Sequence, residues 1–154
     1  MKRKFLVPAV VGCAGILGVG LHTALRTGAP VSGVTADRSV SAILGRSCKD
    51  CHSEQTAWPW YSHLPQIGTM IRSDVKKGRE MVNFSRWSLY TPAEKGHILD
   101  QIAALIRTGR MPPRRYTLIH PRARLSKDDA GRLVDWALAR GRNHGSEKDR
   151  SLGN

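Results

Sequence analysis

Cysteine is scarce in this sequence: three residues in 154. Two of them stand in one tight cluster, Cys48 and Cys51, and the third, Cys13, lies far away in an apolar stretch. That spacing excludes a disulfide framework, which needs several pairs distributed along a small domain. Acidic residues are few as well, 12 against 25 lysines and arginines, so the chain carries a net charge of +13. A surplus of that size favours anionic partners: nucleic acid, acidic lipid or an acidic protein face. It carries no information about fold. No stretch alternates apolar and polar residues with period two over a strand's length, so β-structure is not expected. Internal repeats and long low-complexity tracts are absent too, which removes the solenoids and arrays.

One long uncharged run does exist, at the amino terminus. Lys2, Arg3 and Lys4 form a basic start, and residues 5–21 then run 17 positions without a charge. A cleaved signal core spans roughly 7–15 residues and a spanning helix wants about 20. The run falls between these, and it is read as a signal anchor over residues 1–22 with its basic end in the cytoplasm. Cleavage after Val34-Thr35-Ala36 is the alternative. Val10-Val11-Gly12-Cys13 resembles a lipoprotein box, but the apolar run continues past Cys13. Each reading carries the rest of the chain to the bacterial periplasm, anchored to the inner membrane or soluble if cleaved. Residues 23–36 read as a Gly/Ser/Thr/Pro linker, 37–142 as the folded domain, and 143–154 as a polar, disordered tail.

Inside the domain the periodicity is helical. Val40, Ile43, Leu44, Ser47 and Cys51 recur on one face. Pro65 can open a second helix carrying Ile67, Met70, Ile71 and Val75. Thr91-Pro92-Ala93-Glu94 predicts a third helix start, with an N-cap, a proline at the first helical position and a capping-box glutamate. Ile98, Ile102, Leu105 and Ile106 follow, and Gly109 is a natural stop. A last helix begins at Ser126, with Leu133, Val134, Trp136 and Ala137 on its apolar side and a stop at Gly141. The expected class is all-α, with about four helices in the domain behind an N-terminal hydrophobic helix and loops around the tryptophans and Met111.

The informative cluster is Cys48-Lys49-Asp50-Cys51-His52. Two thiols three positions apart at a helix end can add to the two vinyl groups of a porphyrin edge, and the following imidazole can reach the iron. This pattern reads as attachment of one haem c, with His52 as an iron ligand. A zinc site would want a second ligand pair at short spacing, but His63, His97, His120 and His144 are scattered. A thioredoxin-type pair would want a strand–helix unit. A disulfide between Cys48 and Cys51 would close too small a loop to stabilise much.

Haem iron bound by one imidazole leaves a second axial position for Met, His or neither. Met111, in Thr108-Gly109-Arg110-Met111-Pro112-Pro113, is the candidate, because its soft thioether sits on a proline-stiffened loop. Met70 and Met81 fall on helical patterns and read as core. His120 is the rival ligand, against the plainer reading of a loop histidine bonded to backbone. Trp58, Trp60 and Tyr61 follow the cluster and could wall the porphyrin, or equally pack a core; Trp87 and Trp136 read as core. Arg107, Arg110, Arg114 and Arg115 crowd the Met111 loop. Arg114 is the candidate for a haem propionate, and the group forms an electropositive rim for an acidic redox partner. No recognised nucleic-acid module is present, so binding to nucleic acid is not expected.

These residues together resemble the haem-binding-domain family of bacterial c-type cytochromes over roughly residues 38–140. The resemblance rests on Cys48-Lys49-Asp50-Cys51-His52-Ser53, on Thr56-Ala57-Trp58-Pro59-Trp60-Tyr61-Ser62 and on Asp74-Val75-Lys76-Lys77-Gly78-Arg79. Asn83-Phe84-Ser85-Arg86-Trp87, Gly109-Arg110-Met111-Pro112-Pro113, Tyr116, His120, Leu125-Ser126 and Trp136 complete it. The order of parts is also similar to class I cytochrome c. The resemblance implies a cytochrome c-like bundle wrapped around a single haem in an exported, membrane-anchored protein. The expected role is electron transfer. The alternatives are a peroxidase-like enzyme or small-ligand sensor with an open sixth iron site, and a haem-bearing subunit of a membrane complex.

Overall fold

A computed structural model describes residues 33–152, so the predicted anchor at 1–22 and most of the linker lie outside the described residues. The described chain is all-α. Its α-helices are α1 (Arg38–Ser47), α2 (Lys49–His52), α3 (Pro65–Met81), α4 (Pro92–Arg107), α5 (Arg114–Ile119) and α6 (Lys127–Leu152). Tighter 3-10 turns occupy Trp60–His63, Phe84–Leu89 and Pro121–Ala123. The short α2 and α5 were not foreseen from periodicity, since four- and six-residue helices span too few turns to show a repeat. Among the described residues no helix is long and apolar enough to cross a membrane.

The helix starts follow from their capping chemistry. Asp37 accepts a hydrogen bond from the Val40 amide at 3.0 Å and opens α1. Thr91 and Glu94 form the reciprocal capping box of α4: the Glu94 amide donates to Thr91 Oγ1 at 3.3 Å and the Thr91 amide to Glu94 Oε2 at 2.7 Å. Ser126 and Asp129 repeat the arrangement for α6, at 3.0 Å and 2.9 Å. Each such cap satisfies amides that the first helical turn leaves orphaned. The stop at Gly109 is real. α4 ends at Arg107, and Gly109 takes φ +64°, a left-handed conformation costly for residues with a Cβ.

Gly141, by contrast, ends nothing. The backbone continues as helix to Leu152, where a stop and a disordered tail were expected. A Cβ at Gly141 would stand 3.4 Å from Asp100 Oδ1 and 3.8 Å from Leu99 Cβ, and one at Gly96 would stand 4.0 Å from the Gly141 carbonyl. The glycine therefore marks where α6 packs closely along α4, and a helix tolerates it at a cost of about 1 kcal/mol.

This α4–α6 pair is the widest helix contact in the fold. Leu99, Ala103 and Ile106 of α4 meet Leu133, Val134 and Ala137 of α6 in a core that also takes Val40, Ile43 and Leu44 from α1. Leu44, Leu99 and Leu133 are almost wholly buried, each side chain contributing roughly 1.5–3 kcal/mol. Trp87 and Trp136 lie in the same core, and the Trp136 indole donates to the Thr35 carbonyl at 3.4 Å. With α1 fixed against this core, α2 extends from its end and packs on α3. A cleft opens between them and the Met111 loop.

Candidate haem site

The cleft has a volume of about 450 Å³, within the ordinary range for a cofactor pocket. Its lining is largely apolar, and it brings Cys48, Cys51 and His52 from the α1–α2 end together with Met111 from the distant loop. Tyr61 and His120 also line it. Cys48 and Cys51 are both free thiols. Burial pushes the Cys48 thiol up to about 12, and burial with the nearby Asp50 and Asp74 carboxylates pushes Cys51 up as well. Both are thus held protonated at neutral pH.

His52 is oriented by backbone. Its Nδ1 faces the Gly78 carbonyl at 2.9 Å and the Val82 carbonyl at 3.3 Å. A carbonyl only accepts, so Nδ1 carries the proton and Nε2 keeps its lone pair. Burial pushes the imidazole pKa down, against the pull of those two carbonyls, and the ring is neutral. A neutral imidazole whose second nitrogen is tied to a carbonyl is the usual form of a metal-binding histidine. Gly78 makes the approach possible, because a Cβ there would stand 2.6 Å from the Cys51 carbonyl oxygen.

A hydrogen-bonded chain runs along the cleft lining. Tyr116 OH donates to Asp50 Oδ2 at 2.9 Å, and the Ala57 amide donates to Asp50 Oδ1 at 3.2 Å. Burial and the Asp50 carboxylate raise the Tyr116 phenol, which stays protonated. The His120 ring stacks on Tyr116 with centroids 4.2 Å apart. Its Nδ1 donates to the Tyr116 carbonyl at 3.1 Å, and its Nε2 accepts from Tyr61 OH at 2.8 Å. Both His120 nitrogens are thereby engaged within the protein. The Met111–Pro112 peptide is cis.

The structure does not bring every predicted residue to the cleft. Ala57, Pro59 and Tyr61 line it, whereas Trp58 and Trp60 do not and are 47% and 76% exposed. Pro59 is extended, at φ −74° and ψ 161°, and in extended backbone alternate side chains point to opposite sides. Arg114 is also exposed and off the cleft, while Arg110 and Arg115 line it. Successive positions on a helix turn by about 100°, so Arg114 and Arg115 at the start of α5 diverge. Met70 and Met81, expected in the core, are 51% and 55% exposed and face the cleft instead. Gly78 and Asp50 were not singled out for a role. A glycine inside an otherwise continuous helix was the available signal for the first; a spacer position between two cysteines gave none for the second.

An apolar cleft, two protonated thiols at one edge and an imidazole with a free nitrogen fit a haem. The Ser47 hydroxyl, buried at the cleft lining without a hydrogen-bond partner, fits a site meant to be filled. Comparison with known proteins agrees. A model of the haem-binding domain matches residues 20–139. The cytochrome c peroxidase Ccp of Escherichia coli (strain K12) is 25% identical over 109 residues, covering 68% of this chain and 23% of that protein. The chain thus spans about a quarter of that relative's length. No solved structure matches. With the match over residues 20–139 and the cleft that those residues build, the chain belongs to the haem-binding-domain family.

Proposed function

We propose that the cleft holds a single haem c, bound through thioethers to Cys48 and Cys51, with His52 and Met111 as its axial ligands, and that the protein transfers electrons. The observation that carries this reading is the orientation of His52: Nδ1 is spent on the Gly78 carbonyl, and the ring lines the same cleft as Cys48, Cys51 and Met111. Haem held this way supplies one-electron redox chemistry, and thioether ligation raises its potential relative to a second imidazole. The chain's own work is then to exclude water, fix the ligands and dock a partner. The apolar lining and the Phe84 ring, 6.1 Å from the His52 ring, serve the first two tasks. Arg107, Arg110 and Arg114, all exposed beside the Met111 loop, form a cationic edge suited to an acidic redox partner. The basic start and the uncharged run at residues 5–21 support export to the periplasm and an inner-membrane anchor.

A second reading is favoured by one observation. A relative is named a cytochrome c peroxidase, and His120 with its two tyrosines offers acid–base groups at the cleft wall. Visible spectra of the haem-loaded protein separate the two. Electron transfer with Met111 ligation predicts a low-spin spectrum, slow cyanide binding and no peroxide turnover. A high-spin spectrum with ready cyanide binding and peroxide turnover would favour the enzyme.

A further inference from the structure

Polar ties, more than burial, hold the segment that follows Met111. Thr117 is the buried residue of α5, while Leu118 and Ile119 are 74% and 61% exposed. Pro112 and Pro113 connect Met111 stiffly to this helix, so a displacement of α5 would carry Met111 with it.

Three polar contacts fasten residues 115–120 to other elements. Arg115 grips Asp74 of α3 through Nε at 3.1 Å and Nη2 at 2.7 Å, but its side chain is 61% exposed and the pair is open to screening. His120 takes the Tyr61 hydroxyl at 2.8 Å. The third, Tyr116 OH to Asp50 Oδ2 at 2.9 Å, is partly buried and charge-assisted. Asp50 stands between the two cysteines on α2, and its other oxygen is fixed by the Ala57 amide at 3.2 Å. This one bond therefore joins the helix of Cys51 and His52 to the segment that follows Met111, across 66 residues of sequence.

We propose that Asp50 and Tyr116 are positioning residues, a latch that holds the Met111-bearing wall against α2 and limits access of small ligands to the haem iron from that side. The proposal rests on the reading of the cleft as a haem c site with Met111 on the far face.

The test compares the haem-loaded parent with Tyr116→Phe, Asp50→Asn and the double variant. Intact mass first establishes that each retains its haem. Carbon monoxide binding to the reduced protein should be roughly five- to tenfold faster in Tyr116→Phe, the scale of one lost hydrogen bond. The double variant should be no faster than Tyr116→Phe, since both changes act on one bond, which Tyr116→Phe removes and Asp50→Asn weakens by taking away its charge. A Tyr116→Phe rate within twofold of the parent, or a double variant that multiplies the single effects, would overturn the latch. Met111→Ala run alongside separates the two ideas. If it binds carbon monoxide like the parent, the Met111 reading fails, and amide exchange over residues 114–119 decides the latch. Faster exchange in Tyr116→Phe than in the parent then supports it, and equal exchange overturns it.

Discussion

The His52 imidazole donates through Nδ1 to the carbonyl oxygen of Gly78 at 2.9 Å, and the same glycine lacks the Cβ that would strike the Cys51 carbonyl at 2.6 Å. One residue of α3 thus sets both the orientation of the histidine and the closeness of the two helices. Gly78→Ala gains helix propensity worth about 1 kcal/mol but drives its methyl into the Cys51 backbone, at about 1–3 kcal/mol or more. A net loss of stability is expected in chemical denaturation of the haem-loaded protein, together with an altered ligation spectrum. Unchanged stability and spectrum would show that α3 and α2 separate freely at this point.

Met111 lines the same cleft as Cys48, Cys51 and His52, on the loop that Gly109 turns. Met111→Ala should abolish the weak long-wavelength charge-transfer band of oxidised, thioether-ligated haem and lower the midpoint potential. An unaltered band would remove Met111 from the iron.

The caps of α4 and α6 are separate, local devices. Thr91→Ala and Ser126→Ala should each cost about 1 kcal/mol in thermal or denaturant unfolding, and the double variant about the sum. Acid should weaken the second cap. Burial pushes the Asp129 carboxyl up, but hydrogen bonds from Ser126 and Arg46 outweigh it and hold the pKa below its ordinary 3.8. A lowered folded-state pKa contributes stability that is present above 3.8 and lost as pH falls through the folded value. Stability should therefore fall less steeply in Asp129→Asn than in the parent once the pH drops below 3.8 toward the folded value, with equal slopes near pH 6 (roughly the neutral plateau for carboxylates).

Aromatic residues near the site divide sharply by burial. Phe84 is 2% exposed and packs against both His52 and Trp87, whereas Trp60 is 76% exposed. Phe84→Ala should cost about 3–5 kcal/mol. Trp60→Ala should stay within about 0.5 kcal/mol of the parent. Equal losses would mean that Trp60 is covered in the working protein.

What was legible in the sequence follows the range of the interaction. Thr91-Pro92-Ala93-Glu94 announced α4 because a capping box is complete within four residues, and Leu133, Val134, Trp136 and Ala137 announced a buried face because helical periodicity is local. The spacing of Cys48, Cys51 and His52 is equally local, and the structure brings all three to one cleft. The errors lie where direction depends on partners distant in sequence. Gly141 has the look of a stop, yet it is a contact with Leu99 and Asp100 on another helix. Trp58 and Arg114 sit beside cleft residues in the chain but point elsewhere, because an extended segment and a helical turn each rotate neighbours apart. Asp50 and Tyr116 meet only once the chain has folded, and no spacing rule links residues 66 apart.

Haem joined to Cys48 and Cys51 by thioethers, as proposed, stays on the polypeptide when the fold is lost. The most direct test of that attachment is the intact mass of the protein, made with haem-maturation machinery and then denatured in acidified organic solvent. The expected result is a mass raised by one haem, with the increment lost in the Cys48→Ala/Cys51→Ala double variant. A parent chain that releases all its haem to the solvent and returns to its bare polypeptide mass would contradict it.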